Sequence, residues 1–235
     1  MIGWLETLAN RDEDQGALGR HSLLLGSLVV LLVALPVGQA LVGVTQRFSI
    51  LLTLVLLAAV LVNSQQRWIF IVAMTAGVGA ILGVAAGEFT GALWLRVAGH
   101  LLSLTLLTFT TLVMLNSLIQ AEEVSGDTIV GGICVYLLFG LCFAMVFIVT
   151  SELQPGAFLS GSEAIIRSPS DTSAHATELL YFSFVTLTTL GFGDITPVGD
   201  IPRMFAVSEA IVGQLYLTIF VARLVGMYVG RARKS

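Results

Sequence analysis

Gly191 and Gly193 alternate with bulkier residues in the run Thr188-Thr189-Leu190-Gly191-Phe192-Gly193-Asp194, and that spacing gives the stretch its chemistry. Glycine adopts backbone angles that other residues reach only with strain. Successive carbonyls can therefore turn the same way while Leu190 and Phe192 anchor outward. A column of carbonyl oxygens facing one axis suits a dehydrated monovalent cation. The residues leading in, 177–189, are apolar and rich in hydroxyls. As a helix they reach only about 20 Å, short of the roughly 30 Å hydrocarbon core of a bilayer, so the segment enters a membrane and turns back. Irregular backbone at that depth is tolerated only where protein or a polar cavity satisfies its carbonyls.

The elements that must position this segment are membrane spans. Of 235 residues, 56% are hydrophobic and 11% charged, with mean hydropathy +0.95, whereas a soluble domain carries about 25% charged residues. Apolar runs fall at 22–44, 68–86, 92–118, 129–150 and 204–229, with a shorter one at 48–62 that spans only by enlisting its flanks or thinning the bilayer. Six spans place both termini on one side, which collects Arg11, Arg20, Arg67, Arg231, Arg233 and Lys234. By the positive-inside bias that side is cytoplasmic. The acidic Asp12-Glu13-Asp14 ahead of the first run is unlike the basic start of a secretory leader. With net charge −4 and one lysine, no basic patch exists to neutralise phosphates, so nucleic acid is not an expected partner. Cys134 and Cys142 lie about 12 Å apart along one helix and cannot bridge each other.

The expected organisation is a cytoplasmic N-terminal segment, 1–21; a four-helix membrane domain, 22–118; a cytoplasmic linker, 119–128; a pore domain, 129–229; and a cytoplasmic tail, 230–235. The resemblance of 188–194 to the filter of pore-loop channels implies that this last domain divides into an outer helix at 129–150, an outer loop at 151–176, a pore helix at 177–189, a filter at 189–194 and an inner helix at 204–229. This describes an all-α membrane protein with six transmembrane helices and one re-entrant pore helix carrying a selectivity filter.

Thr188-Thr189-Leu190-Gly191-Phe192-Gly193-Asp194 resembles the TVGYGD filter signature of potassium channels. The resemblance runs from about Tyr181 to Gly226, and the whole chain looks like a bacterial pore-loop channel with four additional N-terminal spans. It implies a homotetramer with one central pore, in which backbone carbonyls of four chains replace the hydration shell of K+. Carried over by position, it implies that the carbonyls of Thr189, Leu190, Gly191 and Phe192, with the Thr189 hydroxyl and the turn at Gly193, form the K+ sites, and that Asp194 lies at the outer mouth. No other cofactor is implied. Phe192 departs from the usual tyrosine, whose hydroxyl braces the filter, and Val185 stands where some relatives place a glutamate that pairs with the mouth aspartate.

In the sixth span the resemblance makes Gly213 a gating hinge; close approach to the pore helix is the competing reading. Helical spacing from Gly213 puts Gln214, Leu217, Thr218, Val221 and Val225 on one stripe that would line the cavity and lower pore. Glu209 falls on another face, where Ser183 or Thr186 could hydrogen-bond it, and reads as a structural brace rather than a conducting group. Arg223, near the cytoplasmic end, can snorkel. The fourth span has a single arginine, Arg96, with His100 one turn later, too few charges for steep voltage gating. His100 reads as an interior hydrogen-bonded histidine, with pH sensing as the alternative. The expected function is passive, weakly voltage-dependent K+ conduction across a bacterial-type inner membrane. Gating inputs fall to the N-terminal segment, the linker, lipid tension or a separate regulatory subunit.

Two rivals stand beside it. A nonselective cation channel has the same architecture. Gly191-Phe192-Gly193-Asp194 also matches the GxGD motif of intramembrane aspartyl proteases, but that chemistry needs two carboxylates sharing a proton, and Asp127 and Asp200 lie in a linker and an outer loop.

Overall fold

The computed structural model describes residues 21–22, 24–33, 67–121, 125–161, 163–165 and 172–232. The short span expected at 48–62, most of the segment 1–21 and the end of the tail lie outside the described residues. Within them the helices are α1 (Leu24–Val33), α2 (Arg67–Thr90), α3 (Leu93–Gln120), α4 (Gly126–Leu153), α5 (Thr172–Leu187) and α6 (Asp200–Ala232). Three of them, α3, α4 and α6, are long and apolar enough to cross a membrane.

Helix α4 is the centre of the fold. It is apolar around its whole circumference, the pattern of a helix covered on every side, and it packs against α3, α5 and α6. Leu138, Leu141, Met145, Phe147 and Ile148 of α4 are fully buried, and Leu24, Leu28 and Leu31 of α1 join the same core. The helix starts at Gly126 rather than at 129 because Ser125 and Thr128 form a capping box: Thr128 N donates to Ser125 Oγ at 3.1 Å and Ser125 N to Thr128 Oγ1 at 3.4 Å. Those polar residues read as linker by hydropathy alone.

Helix α3 is inverted relative to a soluble amphipathic helix. Arg96, His100, Ser103, Thr110 and Thr111 are buried, at helical spacing, against the rest of the molecule. Trp94, Leu101, Phe109, Leu112 and Val113 face outward. Its hydroxyls return to their own helix, Thr111 Oγ1 donating to the Leu107 carbonyl at 2.8 Å and Ser103 Oγ to that of Gly99 at 3.1 Å.

The loop after α4 contributes β1 (Phe158–Ser160) and β2 (Glu163–Ala164), and the segment after the filter contributes β3 (Ile195–Pro197). The order is β2-β1-β3, all antiparallel, with Leu159 opposite Thr196 and Ser160 opposite Ile195. Phe147, Phe158 and Phe182 close a triangle of edge-on rings, with centroids 5.0 to 5.4 Å apart, that seats this sheet on α4 and α5.

Candidate functional site

Helix α5 is wedged between α4 and α6, with Leu179, Ser183 and Leu187 fully buried. It occupies 172–187, starting earlier and ending sooner than the expected 177–189. Ser183 Oγ lies 2.6 Å from the Gly140 carbonyl and 2.5 Å from Glu209 Oε1, so one hydroxyl ties the short helix to both neighbours. At the C-terminal end, Tyr136 OH donates to the Leu187 carbonyl at 3.3 Å, satisfying one of the oxygens a helix leaves unpaired there. Gly213 is buried against that same Leu187 carbonyl, and a Cβ at this position would meet it. Tyr216 OH reaches the Gly132 carbonyl at 2.7 Å, which fixes α6 against α4 one turn further on.

Beyond Leu187 the chain folds back onto α5. Thr188 N donates to Phe184 O at 3.0 Å, Thr189 N to Thr186 O at 2.9 Å, and Leu190 N and Gly191 N both to Val185 O at 2.9 and 3.4 Å. From there the backbone alternates in hand. The φ angle is +59° at Thr189, +58° at Gly191 and +78° at Gly193, and it is not positive at Leu190 or Phe192. Among the described residues Thr189 is the one non-glycine in this region, where an L-residue is strained by roughly 1–2 kcal/mol. Alternating hand is the backbone condition under which successive carbonyls can turn to the same side. Such a row presents fixed oxygen dipoles to a cation without any ionised side chain. Among the described residues of one chain no atom lies within 4 Å of a Cβ built at Gly191 or Gly193, and the positive φ at each is what an L-residue resists.

The Leu190 and Phe192 side chains find no anchor within one chain and remain 60% and 65% exposed. Asp194 is held twice: its carboxylate Oδ2 accepts from Tyr181 OH at 2.8 Å, and its carbonyl accepts from Gly161 N at 3.2 Å. The bond to the Asp194 carboxylate holds the Tyr181 phenol above its ordinary pKa of 10. Sequence reasoning missed Tyr181, although Val185, one turn further along α5, had marked the mouth aspartate as lacking a glutamate partner. Of the acidic residues at this end, Asp171 lies outside the described residues, and Glu178 pairs with His175 at 2.9 Å.

On α6, Gln214, Leu217, Thr218, Val221 and Val225 form an exposed stripe, whereas Gly213 and Glu209 face the interior. Gln214 Nε2 donates to Thr189 Oγ1 at 3.3 Å, the one side-chain hydrogen bond from this stripe to residues 188–194 among the described residues. Lower down, Arg223 Nη2 donates to the carbonyls of Ile119 and Ala121 at 2.5 and 2.8 Å. It caps the C-terminal end of α3, where a cation complements the unpaired carbonyls, rather than simply reaching for the interface. Beside it His21 Nδ1 meets Asp127 Oδ2 at 2.6 Å, which ties the start of α1 to the first turn of α4.

At the opposite end of α3 lies a second charged contact. Arg96 Nε is 3.5 Å from Glu152 Oε1, and His100 Nδ1 is 3.1 Å from Glu152 Oε2, with all three residues buried. The sequence expectation left Glu152 in the outer loop 151–176; the structure carries α4 on to Leu153, which puts Glu152 in its last turn beside the start of the antiparallel α3, where Arg96 stands.

Residues 133–229 match the model of a family described as Ion channel. Over 94 residues the chain is 35% identical to the protein LctB of Bacillus caldotenax, covering 38% of this chain and 64% of LctB. It is also 47% identical over 53 residues to the human voltage-gated delayed rectifier potassium channel KCNH5, covering 22% of this chain and 5% of that one. With the KCNH1 channel of Rattus norvegicus it shares 44% identity over 62 residues, 26% of this chain and 6% of the relative. No solved structure matches the chain. These likenesses are to non-enzymatic ion-channel proteins and fall on the part of the chain that holds α4, α5 and α6, within a helical membrane protein, and the chain spans less than two thirds of the length of each of these relatives.

Proposed function

We propose that this chain is one subunit of a potassium-selective channel that conducts K+ passively through a central pore built from four copies. The observation that carries this reading is the alternation in backbone hand at Thr189, Gly191 and Gly193, spaced by Leu190 and Phe192. Four such rows around an axis would supply rings of carbonyl oxygens in place of water. In this reading the carbonyls of Thr189, Leu190, Gly191 and Phe192 and the Thr189 hydroxyl coordinate K+, and Asp194 stands at the outer mouth. Gln214, Leu217, Thr218, Val221 and Val225 line the cavity and lower pore. Gly213 lets α6 approach Leu187 and gives it a bending point, while Glu209 braces α5 through Ser183. Both termini are cytoplasmic in a bacterial-type inner membrane, and closed cyclic symmetry puts α4 and α6 around the axis with the first spans outside.

Voltage dependence is weak in this reading, because the lone Arg96 is held in a buried pair with Glu152 and has no partner ladder to climb. The experiment is a reversal-potential measurement on purified protein in planar bilayers, with K+ on one side and Na+ on the other. A potential close to the K+ equilibrium value is expected. A value near zero would replace this reading with a nonselective cation pore.

A further inference from the structure

We infer that Gln214 is a positioning residue for the innermost cation site of the filter, acting through the hydroxyl of Thr189. The inference rests on the proposed conducting role and assigns a task that carbonyl geometry leaves open. The other filter sites are bounded by backbone oxygens, whose direction is set once φ and ψ are set. The innermost site alone includes a side-chain hydroxyl, and a hydroxyl can rotate. An unrestrained Thr189 hydroxyl presents a cation with a lone pair in one orientation and with its own proton in another.

Three observations bear on how this rotor is held. Thr188, the neighbouring hydroxyl, is already committed to α5: its Oγ1 donates to the Phe184 carbonyl at 2.6 Å and lies 3.5 Å from that of Val185. Thr188 is therefore not free to direct Thr189. The Thr189 backbone is in the left-handed region at φ +59°, a conformation that nothing in a threonine side chain favours, so an external hold on that side chain matters more than usual. The hold is Gln214, whose amide nitrogen donates to Thr189 Oγ1 at 3.3 Å from the helix behind it. The backbone of Gln214 is fixed, since it follows Gly213, which is buried against the Leu187 carbonyl, and its own main-chain carbonyl accepts the Thr218 hydroxyl at 2.8 Å, while its exposed side chain is held by the bond to Thr189.

A carboxamide N–H donated to Oγ1 occupies one of the two lone pairs of the hydroxyl. This bars the proton from the direction of Gln214 and leaves two staggered positions to be shared by the proton and the second lone pair. The donor from α6 thus biases the hydroxyl toward offering its remaining lone pair to a cation, in place of three equivalent orientations. Elsewhere on the stripe Leu217, Val221 and Val225 are apolar and the Thr218 hydroxyl is donated to the Gln214 carbonyl, so none of them supplies this donor. The assignment gives the first position after Gly213 a chemical reason to be a carboxamide.

The test uses full-length protein in planar bilayers with Ba2+, a divalent ion of nearly the K+ radius, added from the α6 C-terminal side as a probe of the innermost site. Wild-type protein is measured first. A K+-selective current blocked by Ba2+ supports the conducting role, and its absence defeats that role, independently of how the Gln214 variants behave. Gln214→Met keeps the length of the side chain and removes the donor. It should weaken Ba2+ block by roughly three- to tenfold, the fold-change of one neutral hydrogen bond. In a Thr189→Val background, which lacks the hydroxyl, Gln214→Met should change Ba2+ block no further. Gln214→Asn, one methylene shorter, should behave like Gln214→Met, and Thr189→Ser should retain the wild-type response to it. Equal effects of Gln214→Met with and without the Thr189 hydroxyl, or no effect in either, would overturn the assignment. For a variant that carries no current, the K+ concentration giving half-maximal thermal protection of the detergent-solubilised protein is read instead. The same dependence on Thr189 is expected there, and the same independence would overturn it.

Discussion

Helix α3 and the segment formed by α5 with residues 188–194 both bring polarity into an apolar setting, and they do so in opposite ways. In α3 the polar groups are side chains, buried and paired: Arg96 and His100 on Glu152, and threonine hydroxyls on their own carbonyls. In the other segment residues 189–193 carry no ionisable side chain, and their polarity belongs to the backbone, whose hand alternates at Thr189, Gly191 and Gly193. Side-chain charges buried in pairs fix one helix to another and are costly to move or to break. Backbone dipoles carry no net charge, so a row of them can receive a cation and release it. The first arrangement suits a frame and the second a pathway.

The sharpest break of this contrast is Gly191→Ala. Space is available for the methyl group, so only the backbone angle is opposed, and conduction should be abolished while assembly on size exclusion is retained. Normal K+ selectivity in that variant would remove the backbone from the account. Next comes Arg96→Leu, which leaves Glu152 with less than its full charge partnership and should cost roughly 3–5 kcal/mol of stability, read as a lowered unfolding temperature in detergent. Arg96→Leu combined with Glu152→Leu should recover much of that loss. In any folded Arg96 variant the current–voltage slope between about −100 and +100 mV should stay shallow, and a steep wild-type slope that collapses would turn α3 from frame into sensor.

A smaller effect is expected from Arg223→Gln. Loss of the cap on the α3 carbonyls is worth about 1 kcal/mol, which corresponds to roughly a fivefold change in the open-to-closed ratio if α6 moves relative to α3. An unchanged open probability would confine Arg223 to folding. Smallest of all, Tyr181→Phe removes the bond to Asp194 without touching any carbonyl. Sustained currents should decline faster while the reversal potential stays where it was, and a fall in selectivity would extend the pathway to the side chains of the mouth.

Much of this division could be read from residue types. The uniformly apolar run of α4 and the long run of α6 are visible by hydropathy because burial and lipid contact demand the same composition. Their ends are less so. Helix α6 begins at Asp200 rather than at 204, since Pro202 is tolerated in a first helical turn and Asp200 complements the dipole there. The three strands are two or three residues long, too short for alternation to register. The glycine spacing at the filter was legible because only backbone angle explains it. The partners of Arg96, Asp194 and Arg223 were not, because each lies far along the chain and is found by depth rather than by spacing.

The exposed flanks of Leu190 and Phe192, with the outward stripe of α6, bear on inheritance. If four copies close the pore, each ring of oxygens draws one member from every chain, so a single defective member spoils all the rings at once. A cell making equal amounts of normal and Gly191→Ala chains would then assemble about one fully normal channel in sixteen by random mixing. The altered allele would behave as dominant, and the depth of that dominance counts the chains in the pore.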